Sequence, residues 1–157
     1  MKRQGSDVRI AVIMDEFSFA GFSPDCQAIA LSASNWQQQV MHFRPQLLLV
    51  ESAWWGEGKS WHRKVSEAAP ELRDLLAWCQ QHRVPTVFWN KEDPVHFERF
   101  LITASLFDVV FTTDMACIPH YKRALGHEHV HVLPFACQPA VHHPVQHFPR
   151  LPTASFA

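Results

Sequence analysis

At 157 residues, 47% hydrophobic and 18% charged, the chain has the length of one domain and is too apolar to be disordered. A net charge of −1 supplies no basic footprint for nucleic acid or an anionic membrane surface. No apolar run approaches the ~20 residues of a spanning helix, and the short N-terminal run ends in Asp15 and Glu16, unlike a signal peptide.

In chain order, five nearly continuous apolar runs read as strands buried on both faces: 9–14, 46–50, 85–89, 108–112 and 129–133. Helical patterns lie between them. Ser23-Pro24 starts the first, since serine caps and proline suits the first helical position; it carries Ile29 and Leu31. A second piece, 35–43, places Trp36 and Val40 on one face, and Arg44-Pro45 closes it. The clearest helix is 70–82, where Leu72, Leu75, Leu76 and Cys79 form an i, i+3, i+4, i+7 stripe. Asp93-Pro94 opens another, with Phe97, Phe100, Leu101 and Ala104 on one face. The last, 115–125, stops at Gly126. Strand–helix alternation predicts right-handed crossovers and an α/β domain built on a mostly parallel sheet of about five strands. From Gln138 the character changes: Pro139, Pro144, Pro149 and Pro152 with His142, His143 and His147 read as a linker, and the apolar ending at Ala157 as the start of a further domain.

Parallel α/β sheets bind ligands beyond the carboxyl ends of their strands. The residues there are Asp15-Glu16, then Glu51 through Trp54, Trp55 and Gly56, then Asn90-Lys91-Glu92-Asp93, and finally Asp114. Carboxylates brought together repel, which pushes one of them to keep its proton and makes a general acid or base available. Lys91 could instead neutralise the cluster. The structural alternatives are ordinary. Asp93 and Asp114 read as helix caps, and Lys91 with Glu92 as a surface ion pair. Trp89 reads as packing at the rim of the core with its indole N–H on backbone. Tryptophan faces beside carboxylates and amides suit a carbohydrate, and Trp54 or Trp55 could supply the face.

No GxGxxG, GxxxxGK[ST] or GxSxG motif occurs. The pairs His129-x-His131 and His142-His143 lack companions at ligand spacing, so no metal is expected. The four cysteines (Cys26, Cys79, Cys117 and Cys137) form no CxxC pair and read as small hydrophobes in a reducing, cytoplasmic chain.

Five stretches, 14–19, 50–54, 87–94 (Val-Phe-Trp-Asn-Lys-Glu-Asp-Pro), 111–114 and 133–139 (Leu-Pro-Phe-Ala-Cys-Gln-Pro), resemble the amino-terminal region of CgeB-type glycosyltransferases, a family named for a spore-maturation protein. The resemblance runs from about Arg9 to Pro139. It implies one half of a GT-B enzyme: a Rossmann-like, three-layer acceptor-side domain over 1–137, followed by a linker and the truncated start of a donor domain over 138–157. A nucleotide-sugar would reach this half through that second domain, and a glycan acceptor would bind here, without cofactor or metal. Asp15 and Glu92 are then the candidates to activate an acceptor hydroxyl. Glu16, Glu51, Trp54, Asn90, Lys91, Asp93 and Asp114 would line the cleft. The alternative is a stand-alone sugar- or partner-binding module. A phosphorelay receiver fits poorly, because Pro134-Phe135 stands where its lysine belongs.

Overall fold

A computed structural model describes residues 6–142. The domain is α/β, with six parallel strands flanked by helices in a Rossmann-like, three-layer arrangement. The strands are β1 (Ser6–Ile13), β2 (Cys26–Ala30), β3 (Leu47–Glu51), β4 (Thr86–Asn90), β5 (Val109–Thr112) and β6 (Val130–Val132). The helices are α1 (Glu16–Phe22), α2 (Trp36–Phe43), α3 (Pro70–His82), α4 (Phe97–Ala104) and α5 (Ile118–Leu125). The strand order is β2-β1-β3-β4-β5-β6.

That order decides which face each helix covers. The first crossover leaves β1 in one direction, and the remaining four run in the other. Right-handed connections therefore put α1 on one face and α2 to α5 on the opposite face. The packing agrees. Trp36, Val40, Leu72, Leu75, Cys79, Phe100, Ala104 and Tyr121 pack with Ala11, Ile13, Leu48, Val50, Phe88 and Val110. On the other face Val12, Met14, Leu49 and Trp89 meet Phe19 and Phe22 of α1.

The sheet has one strand more than the sequence predicts. Only the turn Ser23–Asp25 of the expected helix at Ser23-Pro24 is helical, and the chain then extends as β2. This strand pairs with β1 alone, is partly exposed and carries two alanines, so it lacks the apolar run that marks a buried strand. The helix expected at Asp93-Pro94 begins later, at Phe97, after a turn. The stripe in α3 is as expected, with Leu72, Leu75 and Cys79 buried and proline in its first turn. Between β3 and α3 an irregular segment is pinned by Trp61, fully buried, whose indole N–H donates to the Leu31 carbonyl at 2.7 Å.

Beyond β6 the chain turns back over the face that carries α1. Gln138 is buried there, and its amide donates to the Gly21 carbonyl (2.9 Å) and to Asp25 Oδ2 (2.8 Å). The predicted linker thus begins on a residue packed against the domain, and residues 143–157 of that prediction lie outside the described residues. No described helix is long and apolar enough to cross a membrane. Cys79 and Cys117 are buried, and burial pushes their thiols up to about 12 and about 11.

Candidate functional site

The sheet reverses its winding between β1 and β3, which is where open α/β sheets form their ligand crevice. Three charged groups meet at this point, each carried to the carboxyl edge by a different strand. Glu51, the last residue of β3, is fully buried. Its Oε1 accepts the Asp15 amide at 2.6 Å and the Lys91 ammonium at 3.0 Å. Lys91 Nζ also lies 3.4 Å from Asp15 Oδ2. The sequence expectation that strand-end charges converge here is met by Asp15, Glu51 and Lys91.

The two carboxylates have opposite characters. Burial tends to raise the Asp15 pKa. The backbone amides of Gly56 (2.8 Å), Trp54 (3.1 Å) and Trp55 (2.9 Å), with Lys91 beside them, outweigh it and hold Asp15 below its ordinary value. Both of its oxygens are engaged, so Asp15 anchors the 54–56 loop and is a poor proton acceptor. Glu51 is pushed up, because its burial outweighs Lys91, the Ser18 hydroxyl and the Asp15 amide. Its Oε2 and the Ser18 hydroxyl are buried without a hydrogen bond of normal geometry, although the hydroxyl is near enough to lower the Glu51 pKa.

A second polar cluster sits at the carboxyl ends of β4 and β5. Asp93 accepts from Asn90 Nδ2 (2.8 Å), Tyr121 Oη (3.2 Å) and Thr112 Oγ1 (2.6 Å). Desolvation raises its pKa against the pull of Thr112 and Tyr121. Asp93 is therefore a hub joining β4, β5 and α5, and it does not cap α4, whose N-cap is His96. Asn90 is fully buried in this cluster, where its amide also donates to Tyr121 Oη at 2.9 Å. Asp114 does cap, accepting the Ala116 amide at 2.9 Å. Glu92 is half-buried, and its carboxylate has no partner among the described residues.

The open space lies over the β1 and β3 ends. A groove of about 650 Å³ is lined by Asp15, Glu16, Phe17, Trp55, Glu57 and Lys59, among others. Of the two adjacent tryptophans, Trp55 is the one that borders it. The Trp55 ring is 50% exposed and stacks on His62 at 4.5 Å, with Lys59 Nζ 5.7 Å from its centroid. Trp54 points the other way. It packs edge-on against Phe100 and His96, with the Arg99 guanidinium 5.2 Å from its ring. Trp89 is 4% exposed, and its indole N–H donates to the Leu133 carbonyl at 2.9 Å, the packing role its sequence position allowed.

The groove thus gathers Glu16 and Asp15 from the sequence candidates. It leaves Asn90, Asp93, Asp114 and Trp54 to structural positions, takes Trp55 from the two tryptophans the sequence offered, and adds Glu57 and Lys59. The glycine-rich turn after Trp55 was the available signal for these additions, since such a turn presents its neighbours to solvent. No described group of three or more His, Cys, Asp or Glu side chains is placed to hold a metal ion. No protein-family model matches the chain, and no curated protein matches it.

Proposed function

We propose that this domain binds a glycan acceptor in the groove above β1 and β3, as the acceptor side of an enzyme that transfers sugar from a nucleotide-sugar held by another domain. The observation that carries this reading is the half-exposed Trp55 ring fixed at the winding reversal of the sheet, bordered by Glu16, Glu57 and Lys59. An aromatic face takes the apolar face of a pyranose, and carboxylates and an ammonium take its hydroxyls. The resemblance to CgeB-type glycosyltransferases points the same way. Asp15 serves by holding the loop that presents Trp55. Glu92, whose carboxylate is uncommitted, stays the candidate base for an acceptor hydroxyl.

The engaged state of Asp15 favours one second reading, a domain that binds sugar without turning it over. Titration of the chain with a panel of methyl glycosides and oligosaccharides, read by the indole N–H signal of Trp55 in ¹H–¹⁵N NMR, tests the groove. At least one member should saturate that signal, and in calorimetric titrations Trp55→Ala should bind the same sugar at least about tenfold more weakly, as loss of a stacked anchor does. A Trp55 signal unmoved by the whole panel would sink both readings.

A further inference from the structure

The face of the sheet that carries α1 holds a second cavity. With four of the five crossovers on the opposite face, only α1 and the returning segment 133–142 cover this one among the described residues. Between them lies a cleft of about 340 Å³. Ile10 and Trp89 of the sheet, Ser18 and Phe22 of α1, and Phe135 and Gln138 of the returning segment line it. Its polar groups are largely committed to one another, since the Gln138 amide holds the Asp25 carboxylate and the Gly21 carbonyl. What remains is apolar and aromatic, with Trp89 edge-on to both Phe22 (5.8 Å) and Phe135 (5.4 Å). The exception is Ser18. It is only 4% exposed, and its hydroxyl lies near the Glu51 carboxylate without a hydrogen bond of normal geometry.

The cleft and the groove are neighbours. Phe17 lines both and is 67% exposed, so the first turn of α1 is the ridge between them. One side of the ridge offers Trp55 with charged groups; the other offers a mainly apolar slot whose one carboxylate, Asp25, is held by the Gln138 amide. We propose that the acceptor is amphiphilic. Its sugar lies in the groove, and an apolar aglycone of about eight carbons passes over Phe17 into the cleft, which has room for roughly ten groups the size of a water molecule. This inference rests on the groove reading above. It adds the chemical class of the acceptor: a glycoside or sugar carrier with a flexible apolar tail. A charged tail is disfavoured, because Asp25 is already held and no described lysine or arginine lines the slot.

Octyl β-D-glucoside, below its micelle concentration, and methyl β-D-glucoside are the probes. The indole N–H signals of Trp89, in the cleft, and Trp55, in the groove, report each site separately. Octyl glucoside should move both signals and bind at least about tenfold tighter than methyl glucoside, which should move Trp55 alone. Gly21→Leu fills the slot from α1. A side-chain carbon at Gly21 meets no atom within 4 Å, and leucine suits a helix better than glycine. In that variant octyl glucoside should fall to the affinity of methyl glucoside, whose own binding should not change. Ala136→Phe, from the exposed opposite wall, repeats the test should Gly21→Leu fail to fold. Equal affinity for the two glucosides, a still Trp89 signal, or an octyl advantage that survives both variants would overturn the proposal while leaving the groove intact. Movement of Trp89 alone would separate the cleft from the groove and overturn the amphiphilic acceptor, whereas the groove reading falls only if the whole sugar panel leaves Trp55 unmoved.

Discussion

Replacing Lys91 with methionine probes the charge cluster directly. Methionine keeps much of the side-chain volume and removes the only cation within reach of Glu51 among the described residues. Glu51 is fully buried and the Lys91 side chain is 11% exposed, so the pair is an interior one. Removing one partner of such a pair costs about 3–5 kcal/mol, because the other charge is left uncompensated. For a domain of this size that lowers the melting temperature by roughly 6–20 °C. The pH dependence identifies the cause. Glu51 sits above its ordinary 4.5 in the folded state, so its ionisation opposes folding as pH rises from 4.5 through the raised value. Without Lys91 that opposition grows, whereas protonated Glu51 needs no cation. The loss should therefore be largest at pH 7.5 and shrink as pH falls toward 4.5. Adding Glu51→Gln should recover more than half of it at pH 7.5. Urea denaturation of the three proteins at both pH values measures all of this. A loss below about 1 kcal/mol at pH 7.5, or one independent of pH, would refute the reasoning and reclassify Lys91 as a surface charge.

Asp15→Asn should destabilise by about 1–3 kcal/mol, since an amide group facing the Trp54 amide and Lys91 cannot replace a carboxylate oxygen. Because Asp15 is held below its ordinary 3.8, the stability it supplies is present above that pH and lost as pH falls through the lowered value. The difference between Asp15→Asn and the parent should therefore be full at neutrality and fade below about pH 3.8 in acid titrations followed by circular dichroism. Gly56→Ala should cost about 2–4 kcal/mol: φ is +62° with ψ −171°, a region reserved for glycine, and the new carbon would stand 2.8 Å from the Trp61 ring. Gly58→Ala is its control. Its φ of +54° lies in open space, and a loss of about 1 kcal/mol is expected by the same thermal melts; equal losses at the two positions would count against the Trp61 contact.

Much of the scaffold was legible because it rests on periodicity. The strands from β1 and β3 to β6 are short apolar runs, and the α3 stripe faces the core as its spacing requires. β2 escaped because an edge strand of small, half-exposed residues has no hydrophobic signature, and Ser23-Pro24 imitates a helix start. The gathering of strand-end charges followed from topology alone, but their roles did not. Asp93 reads as a cap until Thr112 and Tyr121 are folded against it, nineteen and twenty-eight residues away. Trp54 and Trp55 are indistinguishable in a sequence, and only the loop geometry that Asp15 imposes turns one inward and the other out. Asp15 itself reads as a base by position, and becomes an anchor only when three amides from a distant loop arrive.

That anchoring changes how the 54–56 loop behaves. Surface loops ordinarily fluctuate over nanoseconds to microseconds, and a ligand that stills one gives up affinity as lost chain entropy. Here the ordering happens once, during folding, when a single carboxylate gathers three successive amides. A molecule arriving at Trp55 meets a ring already held, with the backbone fixed behind it and His62 stacked beside it. For a sugar that binds there as proposed, association is expected to be rigid docking, at a speed set by encounter and orientation rather than by loop closure.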